Sequence, residues 1–153
     1  MKSKLYGAVL GIGLVVAAAG VQAGELRITI RNVESEKGKV MIALYNSEAN
    51  YKSDDLRHAS ACKLDYRSQG LVMNARKGNM TAVFADLPPG QYGVAVFQDV
   101  NDNGKLDSSF VGMPTEPYGF GNDAPLQFGP PEYKDVILPV GDGVLETVIR
   151  LRS

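Results

Sequence analysis

The chain of 153 residues has no tryptophan, one histidine and one cysteine. Each scarcity removes a class of chemistry. With Cys62 alone, no intramolecular disulfide can form and the fold must stand on packing. Alternation along His58, Ser60, Cys62, Leu64 and Tyr66 puts the thiol on the more apolar face of an expected strand, where it acts as a small buried hydrophobe. His58 is the one imidazole available to activate a nucleophile or hold a metal. Asp54, Asp55 and Ser60 lie near it in sequence, but sharing a strand face does not create a base-to-nucleophile hydrogen bond. Gly-x-Ser-x-Gly, His-Glu-x-x-His and the phosphate-cradling glycine loop are absent. Nothing in the sequence places two acids across a cleft, and no tryptophan is present to stack on sugars. A protein that is not an enzyme is expected, with a hydrolase using His58 or loop acids as the alternative.

Excess charge of either sign is also missing. Sixteen basic residues face 17 acidic ones, which gives no electrostatic footprint for nucleic acid or an anionic membrane. There is one long hydrophobic run, Leu5 to Ala19, preceded by the basic Met1-Lys-Ser-Lys4 and followed by the small-residue site Val21-Gln-Ala23. That order predicts a secretory signal peptide over residues 1–23, cleaved near Ala23, because the run is too short for a membrane span. Export to the bacterial periplasm or beyond is the expectation, with no transmembrane segment in the mature chain. Without those 23 residues 130 remain, enough for one domain, residues 24–153, with its own core. The leader carries two lysines and no acid, so the formal charge moves from −1 to −3.

What is present is a series of strand patterns. Leu26, Ile28 and Ile30 alternate with Arg27, Thr29 and Arg31, and Val40, Ile42 and Leu44 alternate within residues 39–45, so a first hairpin is expected through the polar Glu34 to Gly38. Weaker strands follow at 59–66 and 71–75, and Arg76 to Asn79 reads as a hairpin turn into Met80 to Leu87. Leu87-Pro-Pro-Gly-Gln-Tyr92 has the Leu-x-Pro-Gly-x-Tyr form of a tyrosine corner, in which the hydroxyl bonds upstream backbone and pins an arch between two sheets. Tyr92 to Gln98 is nearly all apolar, as in a central strand covered on both faces. Residues 136–138 and 144–151, separated by Gly141-Asp-Gly143, read as a closing hairpin. These elements predict an all-β fold: a single antiparallel Greek-key β-sandwich of about seven strands.

The central strand runs into Asp99-Val-Asn-Asp-Asn-Gly-Lys-Leu-Asp107. Oxygen-bearing side chains at Asp99, Asn101 and Asn103, a glycine at 104, the Lys105 carbonyl and Asp107 have the spacing of a calcium loop at positions one, three, five, six, seven and nine. Phe110 stands at position twelve, where such a loop has a bidentate glutamate, so the loop supplies about five of the roughly six to eight oxygens calcium takes. A weak, structural calcium ion is therefore expected, its shell completed by Glu116, Asn122, Asp123 or water. The alternative is an Asx-rich turn in which these side chains bond their own backbone. Ser108 to Lys134 has no periodicity but carries Phe110, Val111, Met113, Tyr118, Phe120, Phe128 and Tyr133. It is too apolar for a solvated linker and reads as one long ordered loop, its rings either capping the core or lining a contact surface.

Together, Phe97 to Asp107, Gly112-Met-Pro114, Glu116-Pro-Tyr-Gly-Phe120 and Gly129-Pro-Pro131 closely resemble a family of secreted bacterial proteins, domain of unknown function 2141, across essentially the whole mature chain. Members often carry histidine where Gln98 stands. The resemblance implies an envelope location and no particular activity. The Leu87 to Tyr92 corner also looks like the prealbumin-like, immunoglobulin-like modules of bacterial surface proteins, which mostly bind or support other molecules. The function expected is non-catalytic recognition of a protein or small ligand in the cell envelope, with Tyr118 and Phe120 as contacts. A carrier of a small apolar ligand is the other reading; it requires a pocket beneath the aromatic loop.

Overall fold

The computed structural model describes residues 22–53 and 69–153. The expected leader up to residue 21, and the expected strand over 59–66 with His58 and Cys62, lie outside the described residues.

Among the described residues eight strands form two sheets. In the first, β1 (Gly24–Val33) lies between β4 (Gly78–Leu87), antiparallel, and β8 (Val144–Arg150), parallel. In the second, β2 (Lys39–Tyr45) lies between β3 (Gln69–Asn74) and β5 (Gly90–Asp99). The far edge of β5 is shared: β7 (Ile137–Val140) pairs with Gly90 to Gly93, and β6 (Tyr118–Phe120) with Ala95 to Phe97. The described residues thus hold eight strands, and one pair among them, β1 with β8, is parallel. Two short helices, α1 (Glu48–Ser53) and α2 (Tyr133–Val136), lie outside the sheets.

The expected β-sandwich is present, but its tight turns are not hairpins. β1 and β2 belong to different sheets, as do β3 and β4, and β7 and β8. Each of these turns arches from one sheet to the other, as Greek-key connections do. Alternation determines which side chains face the core, and that requirement is the same whether the next strand pairs with the last or crosses over it.

The core between the sheets takes Leu26, Ile28 and Ile30 from β1, Val40, Ile42 and Leu44 from β2, and Val94 and Val96 from β5. Each such side chain contributes about 1.5–3 kcal/mol by leaving water. Asn32 on β1 and Asp86 on β4 have φ of 63° and 56°, and the β1–β4 register shifts beside each. These are bulges, and they reverse the phase so that Val33 and Leu87 face inward as well.

The second sheet is covered on its outer face too. Ala43, Tyr45 and Ala95 pack under Tyr51 of α1, Val136 of α2 and Phe120. The Tyr51 ring meets Tyr45 edge-on at 5.3 Å, and its hydroxyl donates to the Pro131 carbonyl at 2.8 Å. Burial pushes that phenol well above its ordinary pKa. Two-sided cover is why Tyr92 to Phe97 reads as an unbroken apolar run.

The tyrosine corner forms as expected, with the Tyr92 hydroxyl donating to the Pro88 carbonyl at 2.8 Å across the β4–β5 arch. Tyr92→Phe is expected to cost about 1 kcal/mol. Urea unfolding should show a lower midpoint at unchanged slope, and an unchanged midpoint would mean the hydroxyl does not pin the arch.

Candidate functional site

β5 ends at Asp99, which is 1% exposed. Its carboxylate accepts backbone N–H bonds from Asn103 at 3.0 Å on Oδ1 and from Gly104 at 2.7 Å on Oδ2. The chain can curl back this tightly because Asp102 and Gly104 adopt left-handed φ of 58° and 77°. Asn101 Oδ1 accepts from Asn103 N at 3.2 Å, and Asn103 Oδ1 from Lys105 N at 2.9 Å, closing two successive Asx turns. Their amides converge on Asp107: Asn101 Nδ2 donates at 2.6 Å and Asn103 Nδ2 at 3.0 Å. Lys39, opposite Asp99 on β2, reaches the loop's outer side with Nζ 2.8 Å from Asp102 Oδ1. The hydrogen bond to Asp102 raises its pKa.

The four side chains picked out by their spacing, Asp99, Asn101, Asn103 and Asp107, therefore meet in one cluster, and Lys105 joins it through its backbone N–H. Glu116, 5% exposed, is occupied differently: Oε1 accepts from Val100 N at 2.8 Å and Oε2 from Asp107 N at 2.9 Å, clasping the two ends of the loop. Asn122 donates to the carbonyls of Asp135 and Ile137, and Asp123 is bonded to Arg150, so neither points into the loop. Gln98, fully buried, holds the loop from below. Its Nε2 donates to the Ser35 and Lys37 carbonyls at 3.1 and 3.0 Å, and its Oε1 accepts from Glu34 N at 3.1 Å. A lone amide at the end of an apolar strand was the sequence signal for that role.

Among the described residues no three His, Cys, Asp or Glu side chains gather as a metal-ligand set. A cation in the loop would rest on two carboxylates, two amide oxygens and a carbonyl, and would take the place of the two amide donors now bonded to Asp107. The donor set is all oxygen, as calcium prefers, and short of a full shell.

Beyond Asp107 the chain forms a tight outward turn, with Ser108 bridged to Pro114 and Ser109 N donating to Met113 O at 2.7 Å. Phe110 and Val111 stand at its tip, 106% and 79% exposed. Phe128, on a second projecting turn, is 107% exposed. Between the two turns lies a cavity of about 250 Å³. Tyr118 and Phe120 sit lower, on β6. Phe120 is 4% exposed, packs over the second sheet and also lines the cavity, and Tyr118 is half-buried beside Phe97 and Phe120. The long loop thus divides its rings. Tyr118, Phe120 and Tyr133 cover the sheet, while Phe110 and Phe128 face solvent.

The fold and this loop define an all-β sandwich whose polar and apolar surface features both sit on the connection after its central strand. The chain belongs to the family described as uncharacterized proteins conserved in bacteria, domain of unknown function 2141, whose model matches residues 28–147. No curated protein and no solved structure matches it.

Proposed function

We propose that the protein is an exported, non-catalytic recognition module of the bacterial envelope, in which a weak calcium ion in the Asp99 to Asp107 loop orders the apolar turns beside it. The observation that carries this reading is the Glu116 clasp, which ties the loop's last residue, Asp107, to its start at Val100 and leads straight into the turn bearing Phe110. Ordering the first therefore restricts the second. The non-catalytic part is supported by the role of the buried acids, since each oxygen of Asp99 and Glu116 accepts a backbone N–H that shapes the loop.

Thermal unfolding of the mature protein in chelator and then in millimolar calcium, with magnesium as control, tests it. Modules of this kind bind at about 10⁻⁴–10⁻³ M, so calcium at ten times the dissociation constant should add about 1.4 kcal/mol, several degrees in a domain of this size. The rise should vanish in an Asp99→Ala, Asp107→Ala double variant. Equal melting in calcium and chelator would leave the loop as an Asx turn.

A further inference from the structure

We infer that the cavity between the turns at 106–114 and 126–130 is a binding site for an uncharged, mostly apolar small molecule of one or two rings. The inference deepens the recognition reading and rests on it. Val111 and Met113 line the cavity from one turn, Leu126 and Phe128 from the other, and the buried Phe120 lies at its inner end. Among the described residues its polar side chains are Ser108 and Gln127, and no charged side chain lines it. A charged ligand would give up part of its hydration with no partner of opposite sign among these residues, which favours an uncharged one. Size narrows the class further. About 150 Å³ of apolar space accommodates one benzene ring, so 250 Å³ admits a fused pair of rings or a short branched chain and excludes a long acyl chain.

The site also has a reason to be where it is. Phe128 and Val111 are apolar and largely in water at its mouth, and Gly112, with φ of 81°, allows the turn that carries Val111. A Cβ at Gly112 would meet nothing within 4 Å, so this glycine serves the turn and not packing. A ligand in the cavity covers apolar surface that the fold leaves exposed, which favours binding in proportion to the area removed from water.

Indole is the probe, with indole-3-acetate as its charged counterpart, titrated into the ¹⁵N-labelled protein in calcium. Saturable amide shifts centred on 111–113 and 126–129 are expected, with indole-3-acetate at least tenfold weaker. Met113→Asp, at a position 48% exposed and so tolerant of charge, should weaken indole at least tenfold without lowering the melting temperature. Absence of saturable shifts up to millimolar indole would overturn the proposal, as would binding unaffected by Met113→Asp. Binding instead to neutral phosphatidylcholine vesicles, lost in a Phe110→Ser, Phe128→Ser double variant, would overturn it in favour of membrane contact. A calcium-dependent rise in melting without indole binding would remove the cavity while leaving the calcium-ordered loop, so the two ideas fail separately.

Discussion

Alanine in place of Gly38 is expected to destabilise the domain by about 4 kcal/mol, the largest effect of any single substitution considered. Gly38 has φ of +69°, and a Cβ there would fall on the Asp99 carbonyl oxygen and lie 2.8 Å from its carbon and 2.9 Å from the Val100 carbonyl carbon. Left-handed strain accounts for about 1–2 kcal/mol and overpacking against backbone for about 1–3 more. Backbone cannot rotate away as a side-chain tip can, so the loop from 34 to 38 must lift off β5. It carries the Ser35, Lys37 and Glu34 backbone groups that bond Gln98, and their bonds are strained with it. Gly104→Ala is the control. Its φ of +77° is similar, but a Cβ there meets nothing within 4 Å, so strain alone should cost about 1–2 kcal/mol. Urea unfolding of the two variants separates the terms. Equal losses would mean that residues 34–38 do not press against Asp99 as described.

The contrast between these glycines illustrates how much of the molecule could be read in advance. Gly104 was legible because its neighbours carry a pattern: oxygen side chains at alternate positions before it and an acid three residues after. Gly38 looks like any turn glycine, and its importance comes from a contact with Asp99, 61 residues away. The same division runs through the fold. Strand faces at Leu26 to Ile30 and Val40 to Leu44 followed from alternation, and the Tyr92 corner from local chemistry. Pairing did not, because a turn such as Gly141 to Gly143 satisfies the same local rules whether it returns to the neighbouring strand or crosses to the other sheet. Asn32 and Asp86 broke the alternation through left-handed backbone, which Asn and Asp adopt more readily than most residues but at only a minority of their positions. β6 is three residues long, too short for any period to register.

Within the site, Asp99, Asn101, Asn103 and Asp107 were visible because a ligand loop draws its groups from one short stretch. Glu116 was visible as an acid but not as a clasp, since its partners are backbone amides that leave no trace in residue identity. The rings of the long loop were visible as a group and not as individuals. Tyr118 and Phe120 were the expected contacts, yet Phe120 is buried over the sheet and the rings most exposed to solvent are Phe110 and Phe128. Without periodicity in a stretch rich in glycine and proline, nothing in the chain says which ring points inward.

Glu116→Gln is expected to cost about 3 kcal/mol although it changes the side chain's shape very little. Both carboxylate oxygens are in use, one on Val100 N and one on Asp107 N, in a position 5% exposed. Glutamine has one acceptor oxygen, so its amide group must turn N–H toward N–H at one end of the loop. One charge-assisted bond is lost, the other is weakened to a neutral one, and a backbone donor is left without a partner. Hydrogen exchange should show the difference locally: the Val100 and Asp107 amides should exchange about 100-fold faster, the factor that corresponds to about 3 kcal/mol. Glu116→Ala, which removes both acceptors, should deprotect the Val100 and Asp107 amides alike. If Glu116→Gln left both amides as protected as before, the clasp would be incidental, and calcium in the loop could not restrict the turn that bears Phe110. If protection falls at Val100 and Asp107 while the β2–β5 pairs hold, the loop opens as a unit separate from the sandwich. The calcium-induced rise should then shrink in the same variant, because the cation would have to order the loop ends that Glu116 holds together in the natural sequence.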